Sequence, residues 1–235
     1  MKRLLPVLIP MLAAVPAAAA DSASDTHVTA VDLTFNLHVD DGNPEQDVFI
    51  KTDSTAREVW RPQPGHADLA APIFASSEPQ AHAPLDPTAI GPFPAGQPLG
   101  LTLGAWLAAT GSGEYRCDGS QGHLEIEFAG LVPNGVYTLW HFFMVNGKTE
   151  PFIGSFDLPV GAFDGSQAAF SADADGNASY DQTFASCLQL SGEQLMAGLA
   201  LNWHSDGQTY GMLPGDFGQN AHIQIYTALP TRPDL

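Results

Sequence analysis

Three imidazoles in this 235-residue chain have neighbours suited to chemistry: His141 in VYTLWHFFM, His204 in LNWHSDG and His222 in AHIQIY. Three neutral imidazole nitrogens around one point hold zinc or copper with a coordination position left open. Asp206, two residues after His204, would add a carboxylate. The spacing is tertiary, because none of these histidines falls at the i, i+4 interval of a helical ligand motif. If the last two strands pair antiparallel, the glycine-rich YGMLPGDFGQN connection brings His204 and His222 to one end of a sheet. His141 would join them from a neighbouring strand.

Other chemistries find less in the chain. No G-x-S-x-G elbow is present, and neither GSGEY nor DGSQG stands between a strand and a helix. Glu125 and Glu127 alternate with apolar residues beside His123, which reads as a solvated strand face rather than a glycosidase pair. Asp173, Asp175 and Asn177 recur at every second position, yet Gly176 precedes the third of them, so a hairpin turn accounts for DADGNAS better than a calcium loop. Trp140, Tyr210 and Phe217, with Trp60 and Trp106 as further aromatics, are the candidates for an apolar ligand cleft.

The elements that must position these residues are strands. AVDLTFNLHV alternates, with Val31, Leu33, Phe35, Leu37 and Val39 on one face, and GHLEIEFAGL does the same through Leu124, Ile126 and Phe128. VYTLWHFFMV is apolar on both faces, which predicts a central, doubly covered strand and a buried His141. In LALNWH the core face is Leu199, Leu201 and Trp203, leaving Ala200, Asn202 and His204 on the more polar face; His204 then meets solvent or a ligand at the strand's end. His222 shares a polar face with Gln224 and Tyr226, opposite Ala221, Ile223 and Ile225. QAAFSADADGNASYDQTF reads as a hairpin. Helical signals are confined to TLGAWLAATG, capped by Thr102, and SGEQLMAG, with Ser191 and Gln194 at capping-box spacing. Residues 53–98 are rich in Pro and Ala and read as an irregular covering segment. The pattern predicts an all-β chain: an antiparallel β-sandwich of jelly-roll or Greek-key type, with two short helical turns.

Residues 1–20, MKRLLPVLIPMLAAVPAAAA, have the basic start, short apolar stretch and small-residue end of a secretory signal peptide. The expectation is a leader at 1–20, one sandwich domain at 21–235, a periplasmic or secreted location, and no membrane insertion once the leader is gone. The full chain carries a formal charge of −18; losing residues 1–20 removes two of the eight basic residues and none of the 26 acidic ones, leaving −20. Such a field repels polyanions, which argues against nucleic acid as a partner. The 14% charged residues are too few for an acidic disordered tail, and 44% hydrophobic residues suffice for a sizeable core. Cys117 and Cys187 are the two cysteines; in an exported chain an even pair reads as a disulfide, and neither has a neighbouring Cys or His at metal-ligand spacing.

The segments GLVPNGVYTLWHFF, FSADADGNASY and HSDGQTYGMLPGDFGQNAHIQIYTALP resemble a group of exported bacterial and archaeal β-sandwich proteins, over roughly residues 99–230. That resemblance implies the fold and export but no particular activity. The glycine-proline entry to the Tyr137 strand is also similar to that of copper-zinc superoxide dismutases, whose strand carries two alternating histidines. Here Leu139 and Phe143 flank a single His141. Cupredoxins place a cysteine ligand shortly before a histidine, which the chain after Cys187 does not do. The leading expectation is a non-catalytic module that binds a small ligand or an envelope component. The alternative is a periplasmic copper- or zinc-binding protein, or a metal-dependent oxidoreductase, built on His141, His204 and His222.

Overall fold

The computed structural model of the protein describes residues 29–38, 47–66, 68–81, 89–145 and 154–231. The expected leader, Val39 and part of the 53–98 segment lie outside these residues. In chain order the elements are β1 (Thr29–Thr34), β2 (Asn36–Leu37), β3 (Phe49–Ile50), β4 (Glu58–Val59), β5 (Pro72–Ser76), β6 (Phe93–Thr102) and α1 (Leu103–Trp106). They continue with β7 (Thr110–Cys117), β8 (Gly122–Ala129), β9 (Val136–Val145), β10 (Gly154–Pro159), β11 (Ala169–Ser171), β12 (Ala178–Phe184), β13 (Leu195–His204) and β14 (Ala221–Ala228).

Two antiparallel sheets form the sandwich. One has the order β1-β7-β8-β12; the other runs β10-β9-β13-β14-β2, with β11 also pairing β9. Their inner faces bury one continuous core, to which β8 contributes Leu124, Ile126 and Phe128, β9 Tyr137 and Leu139, and β13 Leu199, Leu201 and Trp203. Glu125 and Glu127 face solvent, as period-two alternation requires. The strand expected over AVDLTFNLHV is split: β1 pairs β7, while β2 pairs β14 in the other sheet. Phe35, buried between them, marks the crossing, so this segment closes one side of the sandwich.

Three expectations are corrected. The DADGNAS turn does not close a hairpin, because β11 pairs β9 and β12 pairs β8, so the turn carries the chain from one sheet to the other. The segment 53–98 is not irregular throughout: β4, β5 and the first part of β6 fall in it and, with β3, form a third sheet of order β3-β5-β6-β4. Pro72 and Pro98 sit where strands tolerate proline, in a pairing of β5 with β6 whose register shifts twice. Of the two helical turns, only α1 forms, with Thr102 Oγ1 accepting from Ala105 N at 3.2 Å. The other capping candidate, Ser191, instead gives its hydroxyl to the carbonyl of Leu229 and accepts from Ala197 N, and β13 starts at Leu195.

Candidate functional site

β13 delivers His204 to the connection with β14, close to Asp206 and Tyr210. Residue alternation puts Thr138, Trp140, Asn202 and His204 on the outer face of the six-stranded sheet, since Tyr137, Leu139, Leu201 and Trp203 between them fill the inner core. Trp140 Nε1 donates to Thr138 Oγ1 at 2.7 Å, and Thr138 Oγ1 lies 2.7 Å from His204 Nε2. The His204 ring meets Tyr210 with centroids 5.4 Å apart. Tyr210 donates to Asp206 Oδ2 at 2.5 Å and accepts from Asn220 Nδ2 at 2.6 Å. Burial and this bond to a carboxylate push the Tyr210 phenol up to about 12. Burial opposes the Asp206 charge, but hydrogen bonds from Tyr210, Gln208 N and Asn220 outweigh it and hold the carboxyl below its usual range. Gly215, at φ +95°, lies flat against this group; a Cβ there would sit 2.6 Å from the Tyr210 ring.

His222 belongs to the other face. Its Nδ1 lies 2.6 Å from the carbonyl oxygen of Asp47, its Nε2 lies 2.9 Å from Ser205 Oγ, and its ring rests against Trp203. A bulge explains why it points inward. Leu201 pairs Ile225 and Asn202 pairs Ile223, so Gln224 is the extra residue. Gln224 accepts from the Tyr137 hydroxyl and donates to the Trp106 carbonyl, both at 2.9 Å. Ile225 then joins the inner core while Ile223 joins an outer cluster with Phe142, Met144, Ala200 and Phe217.

His141 lies far along the sheet. Its partner across β13 is Leu199, whereas His204 faces Val136, five residues away along β9; that is roughly 17 Å of strand, and His141 is on the inner face. The imidazole is buried, as expected, and its Nε2 donates to the Gln189 carbonyl at 3.0 Å. Gln189 belongs to a strap that crosses from β12 to β13. The strap is held by the Cys117–Cys187 disulfide, with Cα atoms 5.5 Å apart, and by Leu188 N donating to the Tyr115 hydroxyl at 2.7 Å. Beneath it opens a pocket of about 430 Å³ lined by Tyr115, the disulfide, Leu188, Leu190 and Ser191.

The proposed ligand set of His141, His204, His222 and Asp206 is therefore not assembled. His141 spends Nε2 on a carbonyl and His222 has both nitrogens engaged; the sheet separates His204 from the other two, and the length of strand parts His141 from the β13–β14 end. Among the described residues, no group of three or more His, Cys, Asp or Glu side chains is placed to hold a metal ion. His204, His222 and Asp206 do lie within electrostatic reach of one another. His204 is 1% exposed rather than solvent-facing, because the Tyr210 loop covers the strand's end. The aromatic trio does not form one cleft either. Trp140 is linked to Tyr210 through Thr138 and His204, whereas Phe217 packs in the separate outer cluster.

Among the site residues, Ser205, Thr138, Asn220 and the strap residues other than Cys187 and Ser191 are not marked by sequence spacing. Only Ser205 had a signal, its place directly after His204; the others matter through long-range contacts. No protein-family model and no curated protein sequence matches the chain.

Proposed function

We propose that this chain works outside the cytoplasm as a β-sandwich that binds a small, largely apolar molecule in the pocket beneath the disulfide-held strap. The observation that carries the reading is a pocket of about 430 Å³ whose roof is pinned rather than loose. That volume lies within the usual range for small-molecule sites, roughly 300–1,000 Å³. The roof is tied down by the disulfide, by Tyr115, by His141 and by the Ser191 hydroxyl, so little conformational freedom remains to be lost on binding. Its walls offer leucines, a disulfide and the hydroxyls of Tyr115 and Ser191, with no acid or imidazole lining it. Binding rather than transformation suits such walls. The leader-like residues 1–20 and the disulfide both favour an oxidising compartment, periplasmic or secreted.

Titration with N-phenyl-1-naphthylamine, an apolar fluorophore, tests the reading. Saturable binding of one probe per chain is expected, and Leu190→Trp, which fills the pocket, should weaken it by about tenfold or more, equivalent to about 1.4 kcal/mol. Unsaturable binding, or equal affinity in a folded Leu190→Trp variant, would overturn it. If the natural occupant is an envelope component, washed envelope fractions should displace the probe from the wild type.

A further inference from the structure

The opposite end of β13 holds a second arrangement of groups, independent of the pocket. Ser205 Oγ lies 2.9 Å from His222 Nε2, and His222 Nδ1 lies 2.6 Å from the Asp47 carbonyl oxygen. A carbonyl only accepts, so Nδ1 carries the ring proton and Nε2 presents its lone pair. The Ser205 hydroxyl then donates to Nε2. Serine, imidazole and an acceptor that fixes the tautomer stand in the order that turns a hydroxyl into a nucleophile. We propose that Ser205 is a nucleophile activated by His222, and that this end of the protein hydrolyses neutral or cationic carboxylic esters with an apolar acyl group.

Several features hold the pair in place. The imidazole is fixed between Trp203 and Trp106, with ring centroids 5.3 and 6.4 Å away. Asp47, which supplies the orienting carbonyl, is buried and ion-paired to buried Arg61 at 3.4 Å. Ser205 is anchored by its N–H to the Asn220 carbonyl at 2.9 Å. His222 is fully buried and Ser205 half-buried, so a substrate would meet the hydroxyl first. The N–H of Asp206, next after the serine, makes no hydrogen bond among the described residues. An N–H in that position is a usual donor to the oxyanion of acyl transfer. Met212 and Leu213, 60% and 63% exposed on the same connection, offer apolar surface to an acyl chain. The net charge of −18 disfavours anionic esters.

In the first step Ser205 Oγ adds to the ester carbonyl carbon as its proton passes to His222 Nε2. The bond to the alcohol oxygen breaks, and the alcohol leaves with that proton. Water then gives a proton to Nε2 and adds to the acyl carbon; the bond to Ser205 breaks, the serine recovers the proton, and the acid is released. Because a carbonyl rather than a carboxylate meets Nδ1, the imidazolium gains little stabilisation. Covalent capture is therefore a sharper readout than turnover.

A fluorophosphonate probe, which forms a phosphorus–oxygen bond to an activated serine and releases fluoride, makes that test. One adduct per chain is expected on the peptide containing Ser205, absent in Ser205→Ala. His222→Gln should slow labelling by about 100-fold, the lower end of general-base contributions. Should His222→Gln fail to fold, Ser205→Cys decides: its thiol should alkylate with iodoacetamide at pH 7 faster in the folded protein than in urea. A folded wild type that takes no probe at Ser205, labelling unaffected by a folded His222→Gln, or a thiol no faster folded than unfolded, would each overturn the proposal.

Discussion

His141, His204 and His222 each end up buried, and burial lowers each pKa to about 4; the Gln189 carbonyl, the Asp206 charge and the Asp47 carbonyl respectively oppose that shift without cancelling it. In the unfolded chain these rings titrate near 6.5. Between pH 6.5 and 4 the unfolded state therefore binds protons that the folded state refuses, and stability rises with pH across that window. Acidification from pH 7 to 4 should cost on the order of several kcal/mol in all. Asp53, Asp118, Asp164, Asp173 and Asp206 are held below the usual carboxylate range by hydrogen bonds, so their contribution is lost at lower pH, from about 3.8 downward. Urea unfolding at half-unit pH intervals measures this; a midpoint that stays flat from pH 7 to 4.5 would contradict the buried, neutral state of the three rings.

β14 shows how one extra residue redirects a whole strand. Unbroken alternation puts His222, Gln224 and Tyr226 together against Ile223 and Ile225. With Gln224 bulged, His222, Gln224 and Ile225 all turn inward, and Ile223 and Tyr226 turn outward. The bulge is held by side-chain bonds that reach across the core to Tyr137 and to the end of α1. Gln224→Leu would strip the buried Tyr137 hydroxyl of its acceptor and the Trp106 carbonyl of a donor, and should destabilise the protein by about 2 kcal/mol. Equilibrium unfolding reads this directly, and a variant as stable as the wild type would mean the bulge stands without those bonds. The β1–β2 crossing and the β11–β12 turn follow the same logic. Each strand's period is legible in sequence, but the sheet it enters depends on which partner edge is free.

Across the molecule, the disulfide ties the start of the β7–β8 connection to the strap that roofs the pocket, closing a separation of 70 residues. A loop of that length restricts the unfolded chain by roughly 4 kcal/mol on loop-entropy grounds. Replacing both cysteines by serine should lower stability by about that amount. It should also weaken fluorophore binding, because the strap loses its covalent tie; retention of full affinity would show that hydrogen bonds to Tyr115 and His141 suffice to hold the roof. The net charge of −18 works on a longer range, disfavouring anions near the surface.

Alternation of apolar and polar residues was enough to place the main strands, to identify β9 as central, to bury His141 and to make an all-β sandwich, because burial of every second side chain is a local, one-dimensional pattern. The cysteine pair was legible for a similar reason, since only one pairing exists. Which histidines meet was not legible. Register, the Gln224 bulge and the sheet crossings at Phe35 and after Ser171 are set by contacts between distant segments, and a one-residue slip in any of them reverses the face of every later side chain. For the same reason only the tertiary structure brought Ser205 onto His222, parted both from His141, and opened a pocket beneath the strap.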